Sequence, residues 1–233
     1  MGISRYLAMT AAEMEAFSPP EGWTAACMAC HFSPYGTGLS NIPSALPSGA
    51  MLILNDRTPF HGHDPERITG QLLEALDRLH FGSLLVDFER PDVDAYHKLC
   101  QMLTQRLPCP VGVSMLYAEE LDCPVFLPPV PLDQPLEEYI SPWKGRALWL
   151  DVAPDAACVT VTEEGSTLMP LPFSPPPSDA FTEETLHCRY RTEILPDKIN
   201  FYLWRNWESL IQEADSLGVT KCIGLYQELC NDK

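Results

Sequence analysis

The sequence predicts a mixed α/β protein: a (β/α)8 TIM-like barrel, lean and partly irregular, with a β-hairpin inserted in its C-terminal half. Three observations predict it. Short apolar runs of strand length alternate with stretches of helical period, the mark of βαβ units with right-handed crossovers. Several of those runs end on acids or amides, where α/β proteins place their chemistry. No Gly-x-Gly-x-x-Gly or Walker-type loop follows any of them, which removes the main reason to prefer an open doubly wound sheet. Such barrels typically need ~250 residues; with 233, residues 1–233 are expected to form one barrel-like domain.

In chain order, Thr10-Ala11-Ala12-Glu13 matches a capping box, so a short helix is expected to about Phe17, ended by Ser18-Pro19-Pro20. Residues 1–20 are then an N-terminal helix and linker. Residues 23–32 are apolar and strand-like, and run into the turn-rich loop Ser33-Pro34-Tyr35-Gly36-Thr37-Gly38. Residues 51–54 form a second buried strand, followed by Asn55, Asp56, Arg57 and a loop carrying His61 and His63. Asp64 is a good N-cap and Pro65 a good first helical residue, after which Ile68, Leu72, Leu73, Leu76 and Leu79 share one face.

Leu84, Leu85 and Val86 read as a strand buried on both faces. Asp92 can cap the next helix, buried through Tyr96, Leu99, Cys100, Leu103 and Leu107, and residues 111–117 form a further strand. Residues 124–142 are rich in proline, with a turn of helix expected at 135–139. Residues 147–152 are again a buried strand. Residues 157–162 and 167–171 predict a hairpin around Glu163-Glu164-Gly165-Ser166. With the proline-rich 170–177 and an exposed strand at 187–194, residues 157–195 make an irregular insertion. Residues 199–204 predict a strand leading into a helix capped by Asn206, which buries Trp207, Leu210, Ile211, Ala214 and Leu217 and stops at Gly218. Residues 222–226 are the last strand expected, with Gln227 and Glu228 at its end.

Composition limits the partners. A formal net charge of −17 disfavours nucleic acid and anionic membrane surfaces. Nine cysteines cannot all pair within one chain, and Cys100, Cys158 and Cys222 lie in apolar segments, where a thiol behaves as a small hydrophobe. Cys27-Met28-Ala29-Cys30 has redox or zinc-like spacing, but no partner pair follows at finger distance, and residues three apart on a strand face opposite ways. Buried thiols, no basic and apolar leader and no stretch long enough to span a bilayer predict a cytoplasmic protein. No cofactor is expected.

The candidate site follows from the strand at 84–86. Alternation projects Asp87 and Glu89 side by side at its C-terminal end. Aromatics stand near other strand ends: Tyr35, Tyr117, Trp149, Trp204 and Tyr226, with Asp151 and Gln227. Acids ringed by flat apolar faces suit a carbohydrate, though the same aromatics also fill barrel cores.

The stretch Phe81-Gly82-Ser83-Leu84-Leu85-Val86-Asp87-Phe88-Glu89-Arg90-Pro91 resembles the signature strand of family-18 glycoside hydrolases, the chitinase-like barrels, which carries Asp-x-x-Asp-x-Asp-x-Glu. Asp87, Phe88, Glu89 and Pro91 match; Gly82 and Leu85 stand where the two upstream acids would be. The resemblance implies that Glu89 protonates the leaving glycosidic oxygen and that Asp87 steadies the substrate's N-acetyl group, so an N-acetylated glycan is the implied partner. This chemistry needs an acid of raised pKa beside a carboxylate that stays ionised. Ser114-Met115-Leu116-Tyr117 is similar to the family's Met-x-Tyr strand, although it follows the Asp-x-Glu strand directly. A more distant resemblance is to the family-25 lysozyme-like barrels, which cleave peptidoglycan. Two other readings stay open: a non-catalytic barrel that binds a glycan or protein through the same rim, favoured by the missing acids, and a metal-dependent hydrolase using His61 and His63.

Overall fold

Alternation along eight short strands sorts their side chains into two separate cores, one inside a ring and one around it. The structure is a computed structural model that describes residues 2–60, 62–90, 94–172 and 174–230. The chain begins with β1 (Ser4–Met9), α1 (Ala11–Ala16), β2 (Trp23–Phe32), β3 (Leu39–Ser40), β4 (Met51–Asn55), α2 (Pro65–Leu79) and β5 (Ser83–Asp87). It continues with α3 (Asp94–Arg106), β6 (Val111–Ser114), β7 (Val125–Leu127), α4 (Leu136–Ile140) and β8 (Leu148–Asp151). A block of β9 (Ala156–Thr162), β10 (Gly165–Leu171), β11 (Phe181–Glu183), β12 (Cys188–Ile194) and β13 (Ile199–Arg205) follows. Last come α5 (Trp207–Ser216), β14 (Lys221–Leu225) and α6 (Tyr226–Leu229).

Strands β1, β2, β4, β5, β6, β7, β8 and β14 are parallel neighbours in that order, and β1 also pairs with β14, so the barrel closes. Strand β3 adds antiparallel to β2. Inside the ring Ala8, Ala26, Met51, Ile53, Leu85, Phe126, Trp149 and Ile223 fill the lumen as side chains rather than a pore. The outer core joins Leu52, Leu54, Leu84, Val86, Val111 and Val113 to the buried faces of α2 and α3. Gly112 has a specific cause: a Cβ there would run into the indole of Trp149, which needs that space.

At the N-terminal floor of the lumen lies Lys221. Its Nζ donates to Ser83 Oγ at 2.8 Å and sits 4.2 Å from the Trp149 ring centroid and 4.8 Å from that of Tyr6. Burial pulls its pKa down to about 8, against a smaller upward pull from Cys109.

The expected caps are present. Thr10 and Glu13 make the reciprocal box, Asp64 accepts from Glu66 N with Pro65 next, and Asn206 accepts from Ser209 N. Gly218 stands at φ +82 after α5. The cap expected at Asp92 lies outside the described residues.

Three expectations are corrected. Strands β1 and β7 complete the barrel without having been anticipated: β7 has only three residues between Pro124 and Pro128, too short for a period to declare itself. Residues 199–204, expected as a strand beyond the 157–195 insertion, belong to it. As β13 they pair antiparallel with β9 and β12 in a five-stranded sheet, ordered β10-β9-β13-β12-β11, inserted between β8 and β14. The β9–β10 hairpin is the one expected, and the insertion runs on to Arg205, whose guanidinium donates to the Val130 carbonyl. Finally, Cys27 and Cys30 do not face opposite ways: a register shift between them on β2 brings both into the outer core, where burial raises both thiols, Cys30 to about 12. Among the described residues no helix is long and apolar enough to cross a membrane.

Candidate functional site

The inward residues of the lumen fix what faces the C-terminal mouth. Ile53, Leu85, and Trp149 belong to the lumen, so the residues two further on, Asn55, Asp87 and Asp151, point the same way at the strand ends. Between Asp87 and Glu89, Phe88 turns the other way and is fully buried, 4.6 Å from the Tyr96 ring. That anchor leaves Asp87 on the lumen side of the strand end, with Glu89 exposed just beyond it.

The end of β5 is braced from two sides. Asp56, itself 5% exposed, accepts the backbone N–H groups of Glu89 (3.2 Å) and Arg90 (3.0 Å), and Arg90 Nε donates back to the Asp56 carbonyl at 3.2 Å. From the turn after β6, the Tyr117 hydroxyl donates to the Arg90 carbonyl. Tyr117 is buried, edge-on to Phe88 and Tyr96, so here the ring supports the acidic strand rather than lying open at the rim.

Carboxylates converge on the mouth. Burial raises Asp87 to about 6, with Glu89 and Asp56 adding to the shift. Burial also raises Asp151 to about 7; Asp87, Glu228 and Glu89 push in the same direction, and the Val152 backbone N–H opposes them. Glu228 is raised by burial and Asp155. Tyr139, from α4, is raised to about 12 by burial and by Asp151, and its hydroxyl donates to the Pro128 carbonyl at 3.0 Å. Glu89 is exposed. Beside Asn55, whose Nδ2 donates to the Met28 carbonyl at 3.3 Å, Thr10, Met28, His31, Asn41 and Arg57 line a groove of about 450 Å³.

Of the residues singled out by sequence, Asp87, Glu89 and Asp151 come together at this mouth. Tyr35 is 85% exposed on the loop after β2, on the same end of the barrel. The others lie elsewhere. Trp149 is 1% exposed and fills the lumen below Asp151. Trp204 is in β13, packed on Ala156, Ala180 and Tyr202 in the inserted sheet. Tyr226 stacks on Phe17 at 5.4 Å and Gln227 Nε2 donates to Glu13 Oε1 at 2.7 Å, so both tie α6 to α1.

Sequence reasoning did not single out Tyr139, which lies in the proline-rich stretch; its signal was the single helical turn expected there. His63 is buried against Phe32 and Phe60, its Nε2 donating to the Ser33 carbonyl at 2.9 Å, and His61 lies outside the described residues. Among the described residues no group of three or more His, Cys, Asp and Glu side chains could hold a metal ion.

No protein-family model matches the sequence, and no curated protein matches it. Solved structures do share its fold. The Bacillus cereus spore cortex-lytic enzyme SleL is similar with a TM-score of 0.53 at 9% identity, over 95% of this chain and 70% of that one. Its Bacillus megaterium QM B1551 counterpart gives 0.54 at 10% identity, over 96% and 70%. A GH18 chitinase from Cycas revoluta, in complex with (GlcNAc)4, gives 0.55 at 11% identity over 94% of each chain. The closed parallel barrel of this chain is thus the fold of a GH18 chitinase and of spore cortex-lytic enzymes.

Proposed function

We propose that this chain is a glycoside hydrolase-like protein that acts on a glycan containing N-acetylhexosamine, by acid-assisted cleavage of a glycosidic bond. One observation carries the reading: the fourth strand of a closed barrel delivers Asp87 inward at the C-terminal mouth, with Glu89 two residues beyond it. Glu89 is assigned as the proton donor to the leaving oxygen and Asp87 as the carboxylate that steadies the N-acetyl group. Exposed Tyr35, on the loop after β2 at the same end of the barrel, offers a ring face for a sugar. The (GlcNAc)4 bound by the Cycas chitinase supports the substrate class. Buried thiols support a cytoplasmic location for a protein built as one domain.

A second reading, a glycan-binding barrel without turnover, is favoured by Leu85 in place of an inner acid and by the exposure of Glu89. Hydrolysis of chito-oligosaccharides and peptidoglycan fragments by wild type and Glu89→Gln separates the two. Turnover that vanishes in the variant establishes the glycosidase and its acid. Binding without turnover by two equally folded proteins establishes the second reading.

A further inference from the structure

Where the inserted sheet meets α5, a second cluster of reactive side chains forms. The β12–β13 ladder ends on the pair Cys188 and Arg205, and just beyond it the Asn206 N–H donates to the His187 carbonyl. The chain enters α5 at that point, so His187, left-handed at φ +50 in the turn after β11, stands against the first turns of the helix. Ser209 and Glu213 are four residues apart on α5 and share one face. His187 bridges them: its Nδ1 lies 2.8 Å from Ser209 Oγ, and its Nε2 bonds Glu213 Oε2. The imidazole is 13% exposed, and all three side chains line a cavity of about 520 Å³. We infer that Ser209, His187 and Glu213 form a serine-esterase triad that cleaves an uncharged or cationic carboxylic ester. The site uses none of the acids at the barrel mouth and does not rest on the glycosidase reading.

The acid sets the roles of the ring nitrogens. A carboxylate oxygen only accepts, so its bond to Nε2 places the imidazole proton there. Nδ1 then carries the lone pair, and the Ser209 hydroxyl donates to it. Nucleophile, base and orienting acid stand in the order that acyl transfer requires. Ser209 Oγ adds to the ester carbonyl carbon while its proton passes to Nδ1. The bond to the alcohol oxygen breaks, and Nδ1 returns that proton to the leaving group. Water then adds to the acyl carbon and gives a proton to Nδ1; the carboxylic acid departs as Ser209 Oγ takes that proton back. Ser209 and His187 are the catalytic residues, and Glu213 is a positioning residue that holds the tautomer and steadies the imidazolium. The side-chain amides of Asn206 and Gln212 are neutral donors in the same lining for the developing oxyanion. Glu183 and Glu184 also line the cavity, with no Lys or Arg among the described residues there, which disfavours an anionic substrate.

The test treats the full chain with a fluorophosphonate, which loses fluoride to an activated serine oxygen, and locates the adduct by peptide mass spectrometry. Wild type should be labelled at Ser209 and should hydrolyse 4-nitrophenyl acetate with an initial burst; Ser209→Ala should lose both. His187→Asn keeps a residue type that tolerates left-handed backbone and should slow labelling about a hundred-fold or more. Imidazole 15N spectra should show the Nε2–H tautomer in wild type and a tautomer mixture in Glu213→Gln, with Glu213→Asp restoring part of the labelling rate. The anionic 4-nitrophenyl hemisuccinate should turn over roughly ten-fold more slowly than the acetate; equal rates would overturn the substrate class. A folded wild type that takes no label at Ser209, or a labelling rate unchanged in His187→Asn, would overturn the triad and leave the Ser–His–Glu chain as a latch between sheet and helix. Should His187→Asn not fold, wild type against Ser209→Ala still decides. Hydrolysis of chito-oligosaccharides is read apart, so failure of either reading leaves the other standing.

Discussion

The two ends of the barrel lumen solve the same problem in opposite ways. At the floor, one ammonium, Lys221, is enclosed by two aromatic rings and a hydroxyl. At the mouth, Asp87 and Asp151 stand over the same apolar plug with other acids as neighbours. The floor group is enclosed by partners that offset only part of the cost of its burial, so its pKa is still pulled down to about 8; the mouth groups oppose one another and stay partly open to solvent. A charge enclosed at the floor is part of the packing, and acids at the C-terminal end of barrel strands are available for chemistry.

Substitutions at each end should therefore differ in kind. The largest effect is expected at the mouth: Glu89→Gln should lower hydrolysis of chito-oligosaccharides by roughly a hundred- to ten-thousand-fold, with the thermal midpoint nearly unchanged, because the side chain is exposed. Trp149→Ala should act the other way round, costing about 3–5 kcal/mol in denaturant unfolding by emptying the lumen and stripping Lys221 of a ring. If Trp149→Ala abolished activity with stability intact, the division between the two ends would be wrong. Gly112→Ala should cost about 1–3 kcal/mol, since the added methyl meets the indole and one of them must shift. Alanine tolerated there at no cost would mean the lumen is loosely filled.

The smallest effects are in pH dependence, and they carry opposite signs. Asp87 and Asp151 are raised in the folded state, to about 6 and about 7, so the native protein holds protons that the unfolded chain releases above ~4. Their contribution is complete below that value and is lost as pH rises through the two folded values. Lys221 is depressed to about 8, so the unfolded chain binds more protons from there up to ~10.4, and stability should rise with pH across that window. Thermal melts should show a fall of a few degrees across the first range, flattened by Asp87→Asn. A gain across the second should disappear in Lys221→Met. A single slope throughout would erase the contrast between the ends.

Much of the barrel was legible because several of its strands are short, almost wholly apolar runs followed by amphipathic helices. Residues 51–55, 83–87 and α2 declare themselves through local period and cap chemistry alone. Strands β1 and β7 do not, and nothing local to residues 199–205 shows that β13 joins the inserted sheet. A strand buried in a ring is defined by its neighbours' N–H and C=O groups, and three residues between prolines carry no periodicity of their own. The mouth divides likewise. Asp87 and Glu89 could be placed side by side from spacing two, but the aromatics could not be placed: Trp149, Trp204 and Tyr226 are flat apolar groups that the lumen, the inserted sheet and α1 each claim.

By itself, then, the sequence determined the barrel class, the caps, the hairpin and the pair of acids at the end of β5, because each rests on residues within a few positions of one another. Tertiary structure decided where the ring closes, that Asp56 and Tyr117 brace the acidic turn, and that Asp151 faces Asp87 from three strands away. Those contacts join residues far apart in the chain, and only closing the barrel brings their charges within reach of one another.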